Sequence, residues 1–211
     1  MFHKSQNNKY LELITNRAKK DYLVWVEQFL DLITENLILK SRKTLNDIGC
    51  CVGQFWKGLK KRNLNIAYNG YDIENKYLKI AKSIFPELYN CLFQIDITKS
   101  KPHKADISIV SATIEHFKFL SPGLDNILGR TKEMVLLRTF LGENSDKSIF
   151  MKSNAQTYYY INQYSFREIF ELFEKHGFAS SVVRDRYTDS MPRYLGEGII
   201  RNQYIVIGKK M

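Results

Sequence analysis

The sequence predicts an α/β fold in which a doubly wound, mostly parallel sheet of seven strands carries helices on its faces. Three observations indicate this fold. Residues 10–39 have a helical apolar period, short apolar runs then alternate with helical stretches, and the last two apolar runs have no helix between them. The chain has 211 residues and no Pro-, Gly- or Ser-rich linker. We therefore expect one domain, with residues 1–43 as a helical cap and residues 44–211 as the core.

The N-terminal cap is predicted from the spacing of its apolar residues, which recur at intervals of three and four. They are Leu13, Ala18, Tyr22, Trp25, Val26, Phe29, Ile33 and Leu37. This spacing indicates two helices, each with one apolar face. An apolar stripe of this length has to be covered. We expect the cap to be a lid over the substrate side of a pocket, with Arg17 and Tyr22 directed inward, and the alternative is packing on the outer helices alone.

The first five strands of the core are short apolar runs that end in turn residues. They are residues 44–48, 67–71, 92–95, 107–110 and 134–140. Helix-like stretches lie between them, among them residues 55–61 and 75–84, and Pro86 ends the second of these. Strands that alternate with helices form βαβ units, so these five strands are expected to be parallel.

The last part of the chain departs from this alternation. Ser165 is a suitable N-cap for a helix over residues 166–175, and Gly177 is suited to end that helix in the left-handed region. Residues 180–184 and 203–208 are then the last two strands, separated by a long loop. Because no helix connects them, we expect an antiparallel last strand at this edge of the sheet.

Composition and charge exclude several classes of protein. The three cysteines have no metal-like spacing, no apolar run approaches the roughly 18 residues that span a bilayer, and the first residues hold no apolar stretch typical of a secretion signal. A cytoplasmic location is therefore expected. The net charge of +10 suits nucleic acid, an anionic membrane surface or a phosphorylated substrate. The basic residues are scattered, however, so a solvated basic surface is favoured.

The loop after the first strand combines a carboxylate with two glycines. Asp47 lies at the end of that strand, and Gly49 and Gly53 follow it before the next helix. Ligands of open α/β sheets bind at this edge, and glycines let the backbone approach a ligand closely. The carboxylate of Asp47 is placed either to hold the loop through its backbone N–H groups or to accept from a ligand ammonium.

Two further carboxylates end the next two strands at similar intervals. Asp72 ends the second strand, where an acidic residue accepts hydrogen bonds from ribose hydroxyls. Asp96 ends the third strand, where it is able to accept from an exocyclic adenine amine, with Ile73 and Ile97 on the two faces of the ring. Three spaced carboxylates, the first with glycines, favour a site for an adenosine-containing ligand.

These segments resemble the class I S-adenosylmethionine-dependent methyltransferases. The matching pieces are Asp47-Ile48-Gly49-Cys50-Cys51-Val52-Gly53 for D-x-G-x-G-x-G, Gly70-Tyr71-Asp72-Ile73, Ile95-Asp96-Ile97, and residues 106–117 with Ile114-Glu115-His116. The resemblance extends from about residue 44 to the C-terminus. It implies the Rossmann-like seven-stranded fold, S-adenosylmethionine as the cofactor and S-adenosylhomocysteine as the product.

The resemblance also implies a role for each matching residue. Gly49 and Gly53 would line the methionine moiety, Asp72 would hold the ribose, Asp96 would hold the adenine, and Ser111 would form the floor near the methyl group. Cys51 departs from the family, which usually has a glycine there, so we expect it to narrow the loop. A nicotinamide-binding domain is less consistent, since it requires G-x-G-x-x-G.

The chemistry of methyl transfer suggests one catalytic residue. His116 lies just past the fourth strand and is a candidate general base, and the alternative is that Glu115 and His116 only brace the loop. Ala112 and Thr113 stand where some related O-methyltransferases have acidic metal ligands, so no metal is expected.

Two further features are consistent either with substrate contacts or with a structural role. They are Arg138, for an anionic substrate or a salt bridge, and the aromatic cluster Tyr158-Tyr159-Tyr160 with Tyr164, for a ring or a packed lid.

The substrate is the part of the function that the residues leave open. We expect methyl transfer to a hydroxyl of a small molecule or of a sugar or glycan acceptor. The alternatives are an RNA methyltransferase that uses the basic surface and a non-catalytic protein that binds S-adenosylmethionine. The oligomeric state is open.

Overall fold

The computed structural model describes residues 8–20, 23–37, 41–151 and 158–211. Its helices are α1 (Asn8–Lys19), α2 (Val24–Asn36), α3 (Gln54–Lys61), α4 (Asn75–Ile84), α5 (Gly123–Leu128) and α6 (Phe166–Lys175). Two short 3₁₀ helices span Pro86–Leu88 and Ile114–His116. Tyr22, which was expected to face inward from the cap, lies outside the described residues.

The strands include all seven that the sequence predicts. They are β1 (Lys43–Ile48), β2 (Ile66–Asp72), β3 (Leu92–Gln94), β4 (Ala105–Ser111), β5 (Thr131–Gly142), β6 (Ile149–Met151), β7 (Tyr158–Tyr160), β8 (Tyr164–Ser165), β9 (Phe178–Arg184), β10 (Arg193–Gly196), β11 (Ile199–Arg201) and β12 (Gln203–Lys210). The central sheet has the order β3-β2-β1-β4-β5-β12-β9. The predicted α/β class with a mostly parallel sheet is thus confirmed.

The pairing of the strands positions the site. β1 is parallel to both β2 and β4, so the chain order reverses at β1. The connections on the two sides of such a strand diverge and leave a crevice at the carboxyl ends. β12 is antiparallel to both of its neighbours, β5 and β9. The antiparallel last strand is therefore confirmed, and it lies inside the sheet next to the edge strand β9.

The predicted ends of α6 are present in the structure. The hydroxyl of Ser165 accepts a hydrogen bond from the backbone N–H of Glu168 at 3.0 Å, which is N-cap geometry. Gly177, just past the helix, has a φ of +69°. α6 packs closely on β12, because a Cβ at Gly208 would lie 2.4 Å from the ring of Phe173. Local sequence signals thus set both ends of this helix.

The second cap helix belongs to the main hydrophobic core. Val26, Phe29 and Ile33 recur at the predicted spacing, and all three are buried together with Leu30. α2 approaches α3 so closely that a Cβ at Gly58 would lie 2.4 Å from Cγ1 of Val26. Removal of α2 would therefore expose the core, because its apolar face covers the sheet domain.

The region expected to be a long loop before the last strand contains a hairpin instead. β10 and β11 pair antiparallel, with Arg193 opposite Arg201. The turn between them has positive φ at Gly196, Glu197 and Gly198. Two other small elements were not predicted either: β6 pairs with β7, and β8 extends the end of β5 in parallel. Strands of two to four residues are too short for an alternating pattern to indicate them.

Within the described ranges, no helix is long and apolar enough to span a bilayer.

Candidate functional site

The loop after β1 is turned by residues in the left-handed region. Gly49, Cys51 and Gly53 have φ values of +76°, +51° and +77°. The backbone N–H groups of Gly49 and Cys50 both donate to the carbonyl of Tyr71, at 2.8 and 3.0 Å. Gly49 also permits a close approach to the loop after β4, since a Cβ there would lie 2.2 Å from the hydroxyl of Thr113. Cys51 is the strained member of the loop, because residues with a side chain rarely adopt positive φ.

Asp72, at the end of β2, supports this loop. Its Oδ2 accepts a hydrogen bond from the N–H of Cys51 at 2.9 Å, and its Oδ1 accepts one from the N–H of Glu74 at 2.9 Å. Burial raises the pKa of Asp72 to about 6, against the lowering effect of these N–H groups. The loop-holding role that we considered for Asp47 thus falls to Asp72.

Asp47 is buried beneath the loop and interacts with an aromatic hydroxyl. The phenol of Tyr68 donates to its Oδ2 at 2.7 Å. Burial raises the pKa of Asp47 to about 7, and the neighbouring Asp72 carboxylate contributes to this shift. A nearby cation would stabilise the charged form of this carboxyl group.

A cavity of about 510 Å³ opens above these residues, at the carboxyl ends of β1, β4 and β5. Asp47, Gly49, Cys51, Ser111 and His116 line it. The structure thus brings together five of the ten residues predicted for cofactor binding and catalysis, from the segments at the ends of β1 and β4.

Helix α1 covers the glycine loop. Tyr10, Ile14 and Arg17 line the cavity from this side. Tyr10 also packs against Tyr77 of α4, with ring centroids 6.4 Å apart. Burial beside Cys51 raises the pKa of Tyr10 to about 12. Arg17, the other side chain predicted to face inward, therefore does so.

The far end of the cavity holds a buried ion pair. Nε and Nη2 of Arg138 donate to the two carboxylate oxygens of Asp185, at 2.8 and 3.1 Å. The salt bridge considered for Arg138 is therefore present, while its guanidinium still lines the cavity. Tyr187 and Arg193 complete this end.

The Glu115-His116 pair lies in the 3₁₀ helix Ile114–His116. Nδ1 of His116 is 2.7 Å from the carbonyl oxygen of Tyr160. A carbonyl only accepts, so Nδ1 carries the proton and Nε2 of the neutral ring is an acceptor. Glu115 is buried and accepts from the hydroxyl of Thr139 at 3.2 Å. The pair thus braces the loop, as one alternative held, and also places His116 in the cavity wall.

The remaining predicted residues lie outside the lining of the cavity. Asp72 is beneath the loop, and Gly53 is the N-cap residue just before α3. Asp96 is engaged in its own turn, where it accepts from the N–H of Thr98 at 3.1 Å and from its hydroxyl at 2.6 Å. Ile73 is 47% exposed, whereas Ile97 is 7% exposed and packs in the core. Roles of these residues toward a ligand remain predictions.

The sequence did not point to several residues of the cavity. Tyr10, Tyr187, Arg193 and Gln203 line it, and none follows a predicted parallel strand. Two of them, Tyr187 and Arg193, lie in the long connection between the last two strands. Its length was the available signal, because long connections in compact domains are commonly functional.

Within the described parts of the chain, no group of three or more His, Cys, Asp and Glu side chains is suited to hold a metal ion.

Comparisons with known proteins give the fold. The sequence matches no protein-family model and no curated protein. Among solved structures, an S-adenosylmethionine-dependent methyltransferase from Clostridium acetobutylicum is similar, with a TM-score of 0.65 and 13% identity over 96% of this chain and 98% of that one. DesVI of Streptomyces venezuelae has a TM-score of 0.63 and 12% identity over 95% and 97% of the two chains.

A third similar structure was solved with a bound ligand. It is the O-methyltransferase of a trans-AT PKS multienzyme from Brevibacillus brevis, in complex with S-adenosyl-L-homocysteine. The TM-score is 0.64, with 14% identity over 99% of this chain and 80% of that one. The chain therefore has the Rossmann-like fold of the class I S-adenosylmethionine-dependent methyltransferases.

Proposed function

We propose that this protein is an S-adenosylmethionine-dependent methyltransferase that acts on a hydroxyl of a small molecule or of a sugar or glycan acceptor. The observation that carries the proposal is the loop after β1. It is turned at Gly49, Cys51 and Gly53 and supported by the carboxylate of Asp72, and it faces a cavity at the point where the strand order reverses. The similar fold of proteins described as methyltransferases supports this function.

The residues around the loop suit S-adenosylmethionine. Asp72 accepts one hydrogen bond on each oxygen from the N–H groups of Cys51 and Glu74. A carboxylate has about four acceptor sites, so capacity is left for a ribose hydroxyl. The hydroxyl of Tyr77 is buried and has no hydrogen-bond partner among the described residues. A buried polar group of this kind is costly unless a ligand or water pairs with it.

The methionine half of the cofactor would lie against the other side of the loop. Asp47 is suited to an ammonium group, since a neighbouring cation offsets the burial that raises its pKa. Arg17 of α1 lines the same cavity and is suited to a carboxylate. When bound, the cofactor supplies an electrophilic methyl group on a sulfonium. Asp96, Ile73 and Ile97 remain our candidates for the adenine end.

The chain itself contributes alignment, a proton acceptor and exclusion of water. Methyl transfer is an in-line displacement, so the position of the acceptor oxygen determines most of the rate. Ser111 lines the cavity and is our candidate for its floor near the methyl group, and Nε2 of His116 is the proposed acceptor of the hydroxyl proton. α1 covers the loop and would exclude water from the reacting groups.

Isothermal titration calorimetry with S-adenosylmethionine and S-adenosylhomocysteine tests the proposal first. We expect both to bind at concentrations well below millimolar. Methyl transfer is then followed as production of S-adenosylhomocysteine with a set of hydroxylated acceptors. Absence of binding at millimolar concentrations would exclude the proposed function, and binding without turnover on any acceptor would favour a non-catalytic binding protein.

A further inference from the structure

The end of the cavity opposite the glycine loop is organised around Arg138. This side chain is 6% exposed and extends from β5 next to Ser111 of β4. Asp185 engages its Nε and Nη2, which orients the guanidinium. Nη1 is directed toward the hydroxyl of Ser111, at 3.5 Å. The guanidinium therefore presents Nη1 to the cavity while the other two nitrogens are held.

Tyr187 connects this arginine to a second one. The guanidinium carbon of Arg138 lies 5.9 Å from the centroid of the Tyr187 ring, and that of Arg193 lies 5.6 Å from it. Both distances are within the range of cation–π contacts. The aromatic ring thus holds Arg193, on the rim, close to the end where Arg138 lies.

Only one of the two positive charges at this end is balanced by an acidic group. Asp185 compensates Arg138, whereas Arg193 forms no ion pair with any described residue. The acidic side chains in the lining are engaged elsewhere: Asp47 accepts from Tyr68 beneath the glycine loop, and Glu115 accepts from Thr139. The donors at this end include two guanidinium groups, those of Arg138 and Arg193, whose planar fork matches carboxylates and phosphates.

We propose that the methyl acceptor carries an oxyanion, a carboxylate or a phosphate, that Arg138 Nη1 and Arg193 bind at the Tyr187 end of the cavity. This inference rests on the proposed function, because it assigns the substrate class of the same site. The anion would anchor the acceptor on the side of Ser111 and leave its hydroxyl to be directed toward His116. Arg193 provides the uncompensated charge, and Arg138 provides the fixed direction.

The experiment uses the full chain saturated with S-adenosylhomocysteine, so that cofactor binding is established before any acceptor is added. Two pairs of probes differ mainly in an anionic group: 4-hydroxybenzoate against 4-hydroxybenzamide, and glucose 6-phosphate against glucose. We expect the anionic member of at least one pair to bind about tenfold more tightly, since charge-assisted hydrogen bonds are roughly twice as strong as neutral ones. Calorimetry measures each affinity.

Three variants assign the effect to the proposed contact. Arg193→Gln is expected to remove most of the preference for the anionic probe, and Arg193→Lys to retain part of it because the charge remains. Arg184→Gln is the matched control, since Arg184 is exposed on the neighbouring strand β9 and does not line the cavity. Arg138 is left intact, because its loss would strand the buried carboxylate of Asp185.

The outcomes separate the two proposals. Failure of S-adenosylhomocysteine to bind would contradict the proposed function itself. If it binds, equal affinity for the two members of each pair, or no binding of any of the four probes, overturns the oxyanion site. A loss of preference that Arg184→Gln shares would also overturn it, because the effect would then come from the general basic charge of the surface.

Discussion

Asp72 and Cys51 are joined by a hydrogen bond from the backbone N–H of Cys51 to Oδ2 of Asp72, at 2.9 Å. This bond connects the end of β2 to the middle of the glycine loop. Because the same carboxylate is proposed to bind the ribose of the cofactor, the conformation of the loop and the affinity for the cofactor depend on one side chain.

The first prediction follows from that bond. Asp72→Ala should weaken binding of S-adenosylhomocysteine by about 1.5–3 kcal/mol. The reason is that the ribose hydroxyls and the N–H groups of the loop would lose the charged carboxylate that accepts from them. Calorimetry measures the change. Asp106→Ala is a matched control, since Asp106 accepts from the N–H of Thr44 at the amino ends of β1 and β4, away from the cavity. The control should cost stability and leave cofactor affinity unchanged, and an unchanged affinity in Asp72→Ala would refute the assignment of the ribose site.

The second prediction concerns Cys51 itself. Its φ of +51° is costly for a residue with a Cβ, so Cys51→Gly should relieve strain and raise the free energy of unfolding by up to about 1 kcal/mol, less the added chain entropy. Cofactor affinity should stay equal or increase. Asn63→Gly is the control, because Asn63 has a φ of +49° at the far end of α3. A large loss of affinity only in Cys51→Gly would mean that the thiol contacts the ligand.

The third prediction uses the raised pKa of Asp47. Burial raises it to about 7, so between about pH 4 and pH 7 the folded state binds more protons than the unfolded state. The contribution of this group to stability is therefore complete below the unfolded pKa and is lost as the pH rises through 7. Asp47→Asn should remove that part of the pH dependence. The free energy of unfolding of the variant, compared with that of the wild type, should therefore be more favourable at pH 8 than at pH 4.

The control for this pH dependence has the opposite sign. Backbone and hydroxyl hydrogen bonds from Thr44, with Lys132 nearby, hold the pKa of Asp106 below its usual value. Its contribution is therefore present at neutral pH and lost as the pH falls below the unfolded value near 4. Asp106→Asn should be destabilised at pH 8 and approach the wild type in acid. Denaturant unfolding across this range gives both differences, and parallel curves for Asp47→Asn and the wild type would contradict the third prediction.

The fourth prediction separates the two cap helices. A chain that begins at residue 21 lacks α1 but retains the buried face of α2, Val26, Phe29, Leu30 and Ile33. We expect it to stay folded and to bind S-adenosylhomocysteine at least about tenfold more weakly, since Arg17 and the contact proposed between it and the cofactor carboxylate would be lost. Arg17→Gln should reproduce part of this loss. If the shortened chain binds as tightly as the full one, α1 is not a lid.

The fifth prediction distinguishes a catalytic His116 from a brace. In His116→Asn, the amide nitrogen is placed to replace Nδ1 and to donate to the carbonyl of Tyr160, but no base remains at Nε2. We expect kcat to fall about 100-fold or more, with cofactor affinity unchanged and the acidic limb of the pH–rate profile lost. Retention of wild-type kcat by this variant would leave His116 a structural role only.

The seven strands of the central sheet and most helices could be predicted from the sequence because their patterns are local. The helix Phe166–Lys175 carries its own N-cap in Ser165 and its own end in Gly177. The run that became β5 is apolar enough to indicate a buried strand without its neighbours. The carboxylate and glycine spacing around residues 47–53 then indicated the loop that faces the cavity.

The other half of the site was decided by the tertiary structure. Arg138 and Asp185 are far apart in the sequence. They meet because β5, which carries Arg138, and β9, which ends just before Asp185, lie on the two sides of the same strand, β12. Likewise, Tyr10 of α1 lines the cavity together with the loop after β1, and its ring packs against Tyr77 of α4, although these segments are distant in the sequence. Periodicity reports which face of an element is buried, whereas these contacts depend on strand order and helix packing, and those arise from interactions between distant segments.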